Sequence, residues 1–242
     1  MEQVDLSKVG TSKVGPLEVE VIDSVEPYVA LLKSIFDFSL IKSFLASNAS
    51  TFGVLFDALN GVTGPYARAI FVDELGLSAD AVQNAVPLPD FGGGHPDPNL
   101  TYAHTLVEEV DRRKLAFGAA SDGDGDRNMI YGHNAFVTPS DSVAIIADWA
   151  DTIPYFKKGG VKGLARSMPT SGAIDLVAKA KGFEVFEVPT GACLGPLELE
   201  PPCSRSERCL VHRLEVLWQP HGRRTPVDLW RGELWHGLGP HP

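Results

Sequence analysis

Between Ser121 and Arg127 the chain reads Ser-Asp-Gly-Asp-Gly-Asp-Arg, which sets a carboxylate at every second residue with only glycine between. Carboxylates about 5 Å apart at an effective dielectric near 20 repel by roughly 3 kcal/mol per pair, so three pairs cost on the order of 10 kcal/mol as an upper figure. A fold that packs this stretch must answer the charge with a dication or a proton. The residues before it, Leu115-Ala116-Phe117-Gly118-Ala119-Ala120, are small and apolar, as in a buried parallel strand. The acidic loop then lies at the carboxyl end of a strand, where open α/β sheets bind their ligands. Alternating aspartates of an extended segment share one side, and Gly123 and Gly125 can take the positive φ that curls their oxygens around one small ion. Hard oxygen ligands of this kind suit magnesium or calcium.

A solvated acidic turn is the plain alternative, because Asp and Gly are common turn residues. Three aspartates in five residues directly after a buried strand favour the cation. An EF-hand calcium loop also begins with alternating Asp, but it needs Gly at its sixth position and Glu at its twelfth. Here those positions hold Arg127 and His133.

The rest of the chain alternates strand and helix patterns. Strands are expected at 17–22, 52–56, 82–86, 161–168 and 183–188, with a hairpin at 129–137 turning around 132–134. Helices are expected from Val25, over 66–75 ending at Gly76, over 100–110 with Asn99 as cap, from Pro139 to about Asp151, and over 173–181. Such alternation is the mark of a mostly parallel sheet with helices on its faces. The Gly-rich loop 57–65 could approach a phosphate through its amides, although such turns are more often punctuation. His95, in the Gly- and Pro-crowded segment 87–99, is either a site residue or a solvated loop histidine.

The formal charge of -10 argues against nucleic acid or an anionic membrane as partner, and it means that a phosphorylated ligand needs a local cation. No apolar run approaches the roughly 20 residues that span a bilayer, and residues 1–5 lack the start of a signal peptide. The expected location is the cytoplasm. All three cysteines follow Gly191, in a stretch that contains no lysine and three of the four tryptophans. That change of composition suggests a different coding origin, such as a shifted reading frame, for 192–242. A genuine interaction tail is the alternative.

With these residues in view, the chain resembles the α-phosphohexomutases, the phosphoglucomutase family. The likeness runs from about Asp5 to Gly191 and is most specific at Phe91 to Tyr102, at Gly118 to Ile130 with its Asp-Gly-Asp-Gly-Asp-Arg, and at Arg166 to Ala173. It implies an α/β fold of two successive three-layer α/β/α domains with mixed, mostly parallel sheets, the second incomplete, followed by an irregular C-terminal tail. The implied division is 1–18 as linker or the end of a first domain, 19–138 as domain II with the metal loop, 139–191 as part of domain III, and 192–242 as an unrelated, disordered tail. It also implies interconversion of glucose 1-phosphate and glucose 6-phosphate through glucose 1,6-bisphosphate, an intramolecular phosphotransferase reaction of the isomerase class. Carried over by position, Asp122, Asp124 and Asp126 bind Mg2+, and Arg127 and Thr190 bind substrate.

The family's phosphoserine lies in a Ser-His-Asn-Pro motif, and no Ser-His-Asn occurs in these 242 residues. The expectation is therefore a chain that carries the magnesium loop, provides no catalytic phosphoserine and is inactive alone. A non-catalytic truncated product or binding protein is one alternative. A haloacid dehalogenase-type phosphatase, with Asp122 as nucleophile and Asp124 as general acid, is another.

Overall fold

In the computed structural model, which describes residues 4–188, the chain opens with an antiparallel hairpin of β1 (Gly10–Val14) and β2 (Leu17–Val21). Polarity alone made the first of these strands look like linker. Its residues alternate with no apolar face to bury and are almost wholly exposed, so period-two patterning gave no signal. Two helices follow, α1 (Val25–Ile35) and α2 (Phe38–Ser47). The Asp23 carboxylate accepts the Val25 N–H at the start of α1, and Asp37 caps α2 by accepting from Leu40 N–H.

The main sheet contains β3 (Val54–Asp57), β4 (Val82–Gln83), β5 (Phe117–Ser121), β6 (Asn128–Gly132) and β7 (Ala135–Val137), in the order β4-β3-β5-β6-β7. β3 runs parallel to both β4 and β5, whereas β5–β6 and β6–β7 are antiparallel. The difference follows from the connections. A long crossover containing a helix returns the chain parallel, and the short acidic loop after β5 returns it antiparallel.

Between β3 and β4 the chain winds through α3 (Thr63–Ala67), which continues as a wider π-helical turn over Arg68–Glu74 and stops at Gly76, whose φ is +77°. β4 covers two of the five residues expected of it, because Asn84 takes a left-handed φ of 48° and turns the chain out of the ladder. α4 (His104–Arg113) begins four residues later than the sequence suggests. Asn99 does cap backbone there, but its Oδ1 accepts from Thr101 and Tyr102 N–H in a preliminary turn.

Alternate β3 residues serve opposite faces. Leu55 joins Leu106 and Val110 of α4 with Ala120, Met129 and Tyr131, while Val54 joins Leu45 of α2 and Leu75 on the other side. Helix, sheet and helix therefore form three layers, as the alternating pattern implies. Gly118 is what lets α4 sit down on the sheet. A Cβ there would lie 2.6 Å from Val110 Cγ2 and 2.8 Å from the Tyr131 carbonyl oxygen.

A second core follows. α5 (Pro139–Asp148) is capped by Thr138, whose Oγ1 accepts from Asp141 N–H. α6 (Pro154–Gly159), β8 (Leu164–Ser167), α7 (Ala173–Lys181) and β9 (Val185–Val188) complete it, with β8 and β9 paired in parallel. Ala144, Ala147, Leu164, Ile174 and Ala178 are its buried centre. Arg166 ties β8 to α7 and β9 through Asp175 and Glu187. Thr190 and the expected tail 192–242 lie outside the described residues.

Candidate functional site

The parallel register of β3 and β5 pairs Asp57 with Ala120, so the loops that follow both strands leave the sheet side by side. Asp57 is completely buried and holds the first loop in shape. Its Oδ1 accepts from Leu59 N–H and Asn84 Nδ2, and its Oδ2 accepts from Gln83 Nε2. Those bonds accompany left-handed backbone at Leu59, Asn60 and Asn84, and they bend residues 58–62 toward the acidic loop. Val62 N–H then donates to the Gly123 carbonyl at 3.0 Å. Gly61 must be glycine for this contact, since a Cβ would lie 2.7 Å from the Gly123 oxygen. Thr63 and Ser121 join the same two segments through hydroxyls 2.6 Å apart.

The loop 57–65 is thus a backing for the acidic segment. Of the two glycines within the aspartate run, Gly125 has the positive φ, +84°. Gly123 does not; its lack of a side chain admits Phe91, whose ring carbons would be 2.9 and 3.0 Å from a Cβ.

Within this frame Asp122, Asp124 and Asp126 converge, each offering a carboxylate oxygen within 4.8 Å of the others. Asp122 is 2% exposed, while the other two face solvent. Its Oδ1 accepts the N–H groups of Gly125 and Arg127 at 3.0 Å each, and its Oδ2 accepts from Arg127 Nε at 2.9 Å. Burial would raise the Asp122 pKa, but these donors and a hydrogen bond from Asp126 outweigh it and hold the carboxyl below its ordinary value. Asp126 moves the other way, to about 6, through desolvation, its hydrogen bond with Asp122 and repulsion from Asp122 and Asp124. Without a cation, Asp126 is the carboxylate that takes up a proton and relieves the crowding as pH falls through about 6. Burial alone would lower the Arg127 pKa, but Asp122, Asp97 and Asp126 raise it and keep the guanidinium charged.

Three hard oxygen donors at this spacing fit a small dication. Asp122 Oδ1 already accepts two N–H groups, whereas Oδ2 accepts from Arg127 Nε and has its second lone pair for the ion. Asp122, Asp124 and Arg127 line an open cleft of about 630 Å³ whose other wall includes Asn60, Leu88 and Pro96. The phosphatase alternative fares badly here. A nucleophilic Asp122 needs a free, accessible carboxylate oxygen, and both of its oxygens are engaged in a buried setting.

His95 is not among the residues lining the cleft; its ring stacks on Tyr102 with centroids 4.1 Å apart. Two residues that sequence reasoning did not single out do join the site. One is Asp57, and the other is Asp97, which accepts from Arg127 Nη1 at 2.8 Å. The one local signal at Asp97 is its place between two prolines.

Residues 26–135 match the family described as phosphoglucomutase/phosphomannomutase, alpha/beta/alpha domain II. Phosphoglucomutase from Schizosaccharomyces pombe is 66% identical over 188 residues, covering 78% of this chain and 34% of the relative. Residues 26–135 are this family's alpha/beta/alpha domain II. Phosphoglucomutase 1 of Saccharomyces cerevisiae is 65% identical over 194 residues, with the same coverage of 78% and 34%. Among solved structures, the open form of the Paramecium phosphoglucomutase parafusin superposes with a TM-score of 0.70 at 48% identity, again covering 78% of this chain and 34% of that one. The chain spans about a third of the length of these phosphoglucomutase relatives (34%). The acidic loop lies inside the segment matched to the family's domain II. Among the described residues, no helix is long and apolar enough to cross a membrane.

Proposed function

We propose that this chain is the magnesium-holding part of a phosphoglucomutase that interconverts glucose 1-phosphate and glucose 6-phosphate through glucose 1,6-bisphosphate, in the cytoplasm. The observation that carries this reading is the convergence of Asp122, Asp124 and Asp126 beside Arg127 at the carboxyl edge of the sheet, within a stretch that matches the family. Asp122, Asp124 and Asp126 would hold Mg2+, which when bound neutralises charge on a transferring phosphoryl group. Arg127 contributes a planar donor set for a phosphate or sugar oxygen, as arginine does wherever anions are recognised. Thr190 is proposed as a further substrate contact. The division into domain II at 19–138 and part of domain III at 139–191 belongs to the same proposal.

None of the aspartates is asked to accept a phosphoryl group. The donor in this reading is a phosphoserine of a Ser-His-Asn-Pro segment, which these 242 residues do not contain, so the chain by itself binds and positions but does not turn over.

Magnesium titration followed by thermal melting, beside a coupled mutase assay, tests both halves. Magnesium at about 100 times its Kd should stabilise the wild-type chain by roughly 2.7 kcal/mol, leave Asp124→Ala unchanged, and produce no mutase turnover in either. A melting curve indifferent to magnesium would remove the metal reading. Turnover that depends on Asp124 would remove the claim that the chain is inactive alone.

A further inference from the structure

Asp97 stands between Pro96 and Pro98. Proline fixes its own φ and confines the residue before it to extended backbone, so this segment reaches the site with little conformational freedom left to lose. Both Asp97 oxygens are used. Oδ1 accepts from Arg127 Nη1 and Oδ2 from Asn99 Nδ2, each at 2.8 Å. Asn99 is itself tied through Oδ1 to the N–H groups of Thr101 and Tyr102 in the turn that leads into α4. A continuous set of hydrogen bonds therefore connects the start of α4 to the guanidinium beside the three aspartates.

That guanidinium is held from two sides, Nε by Asp122 and Nη1 by Asp97. No described residue bonds Nη2. Because the group is planar and its donors are fixed relative to one another, pinning two nitrogens determines the direction of the third. Arg127 and Pro96 both line the open cleft.

We propose that Asp97 is a positioning residue that sets the plane of Arg127 and leaves Nη2 as the donor for an anionic oxygen of a ligand in the cleft. That the ligand is a phosphorylated sugar depends on the function proposed above; the orientation of Arg127 does not.

Nitrogen-15 NMR of the Arg127 side chain in the full chain reads the orientation directly, as the rate at which Nη1 and Nη2 exchange places by rotation. Asp97→Ala should raise that rate about tenfold or more, the equivalent of losing a hydrogen bond to a charged group. Asp97→Asn, which keeps an acceptor without the charge, should fall between. The Gly125 N–H is held by Asp122 and makes no bond to Asp97, so it should stay protected in both variants and report an intact loop. Unchanged rotation in Asp97→Ala overturns the proposal. So does an equal loosening of Gly125, which would reduce Asp97 to a brace for the loop. Inorganic phosphate added with magnesium should perturb Nη2 in the wild type, and perturbation of Nε ahead of Nη2 would also overturn it. A wild-type chain that binds no magnesium defeats the proposed function, while the rotation rates still decide the role of Asp97.

Discussion

Asp126 is the residue at which the electrostatic conflict of the loop becomes measurable. Its folded pKa of about 6 lies above the ordinary 3.8, so the metal-free native chain holds a proton there more tightly than the unfolded chain does. The stabilisation from that proton is complete below about pH 4 and is lost as pH rises through 6. Thermal melting of the metal-free protein between pH 4 and 7 should therefore decline more steeply in the wild type than in Asp126→Asn, and saturating magnesium should abolish the difference. Equal slopes in the two proteins would show that Asp126 does not carry the proton. The aspartate run was legible in the sequence because its members are contiguous. Asp57 and Asp97 were not, because their partners Gln83, Asn84 and Arg127 come from distant segments and only the sheet brings them near.

At the level of elements, the site is a contact between loops. Gly61 lies against Gly123 in that contact, and the atoms facing a new Cβ at position 61 are backbone, which cannot swing away. Gly61→Ala should cost about 1–3 kcal/mol in urea unfolding, the range for forcing extra atoms into a packed place. It should also lower the apparent affinity for magnesium, because the acidic loop must shift to admit the methyl. A variant with wild-type stability and wild-type binding would mean that the two loops are not in contact. Elements with strong ends were readable from sequence. α7 occupies Ala173–Lys181 as expected, stopped by Gly182 at a φ of +73°. Elements without a distinctive end or face were misjudged, α4 because Asn99 caps a preliminary turn ahead of the helix, and β1 for want of a buried face.

For the whole molecule, the described residues contain separate buried clusters with the site built on one side only. Leu106 belongs to the cluster beneath the acidic loop and Ile174 to the one between α5 and α7. Leu106→Ala and Ile174→Ala each remove a fully enclosed side chain and should each cost about 2–5 kcal/mol. Under native conditions Leu106→Ala should also weaken magnesium binding, while Ile174→Ala should leave it unchanged. Isothermal calorimetry beside denaturant titration separates these outcomes, and equal loss of binding in both variants would mean that the clusters act as one unit. The side-by-side departure of the chain after Asp57 and after Ser121 has a kinetic corollary. The acidic turn can be a local hairpin from the moment it is synthesised, but its backing comes from the far strand of a parallel pair, which closes slowly because much chain must be looped first. Refolding should therefore pass through a stage in which helices are formed and the carboxylates still point apart in water, and the grip on a cation should be among the last properties of the chain to return.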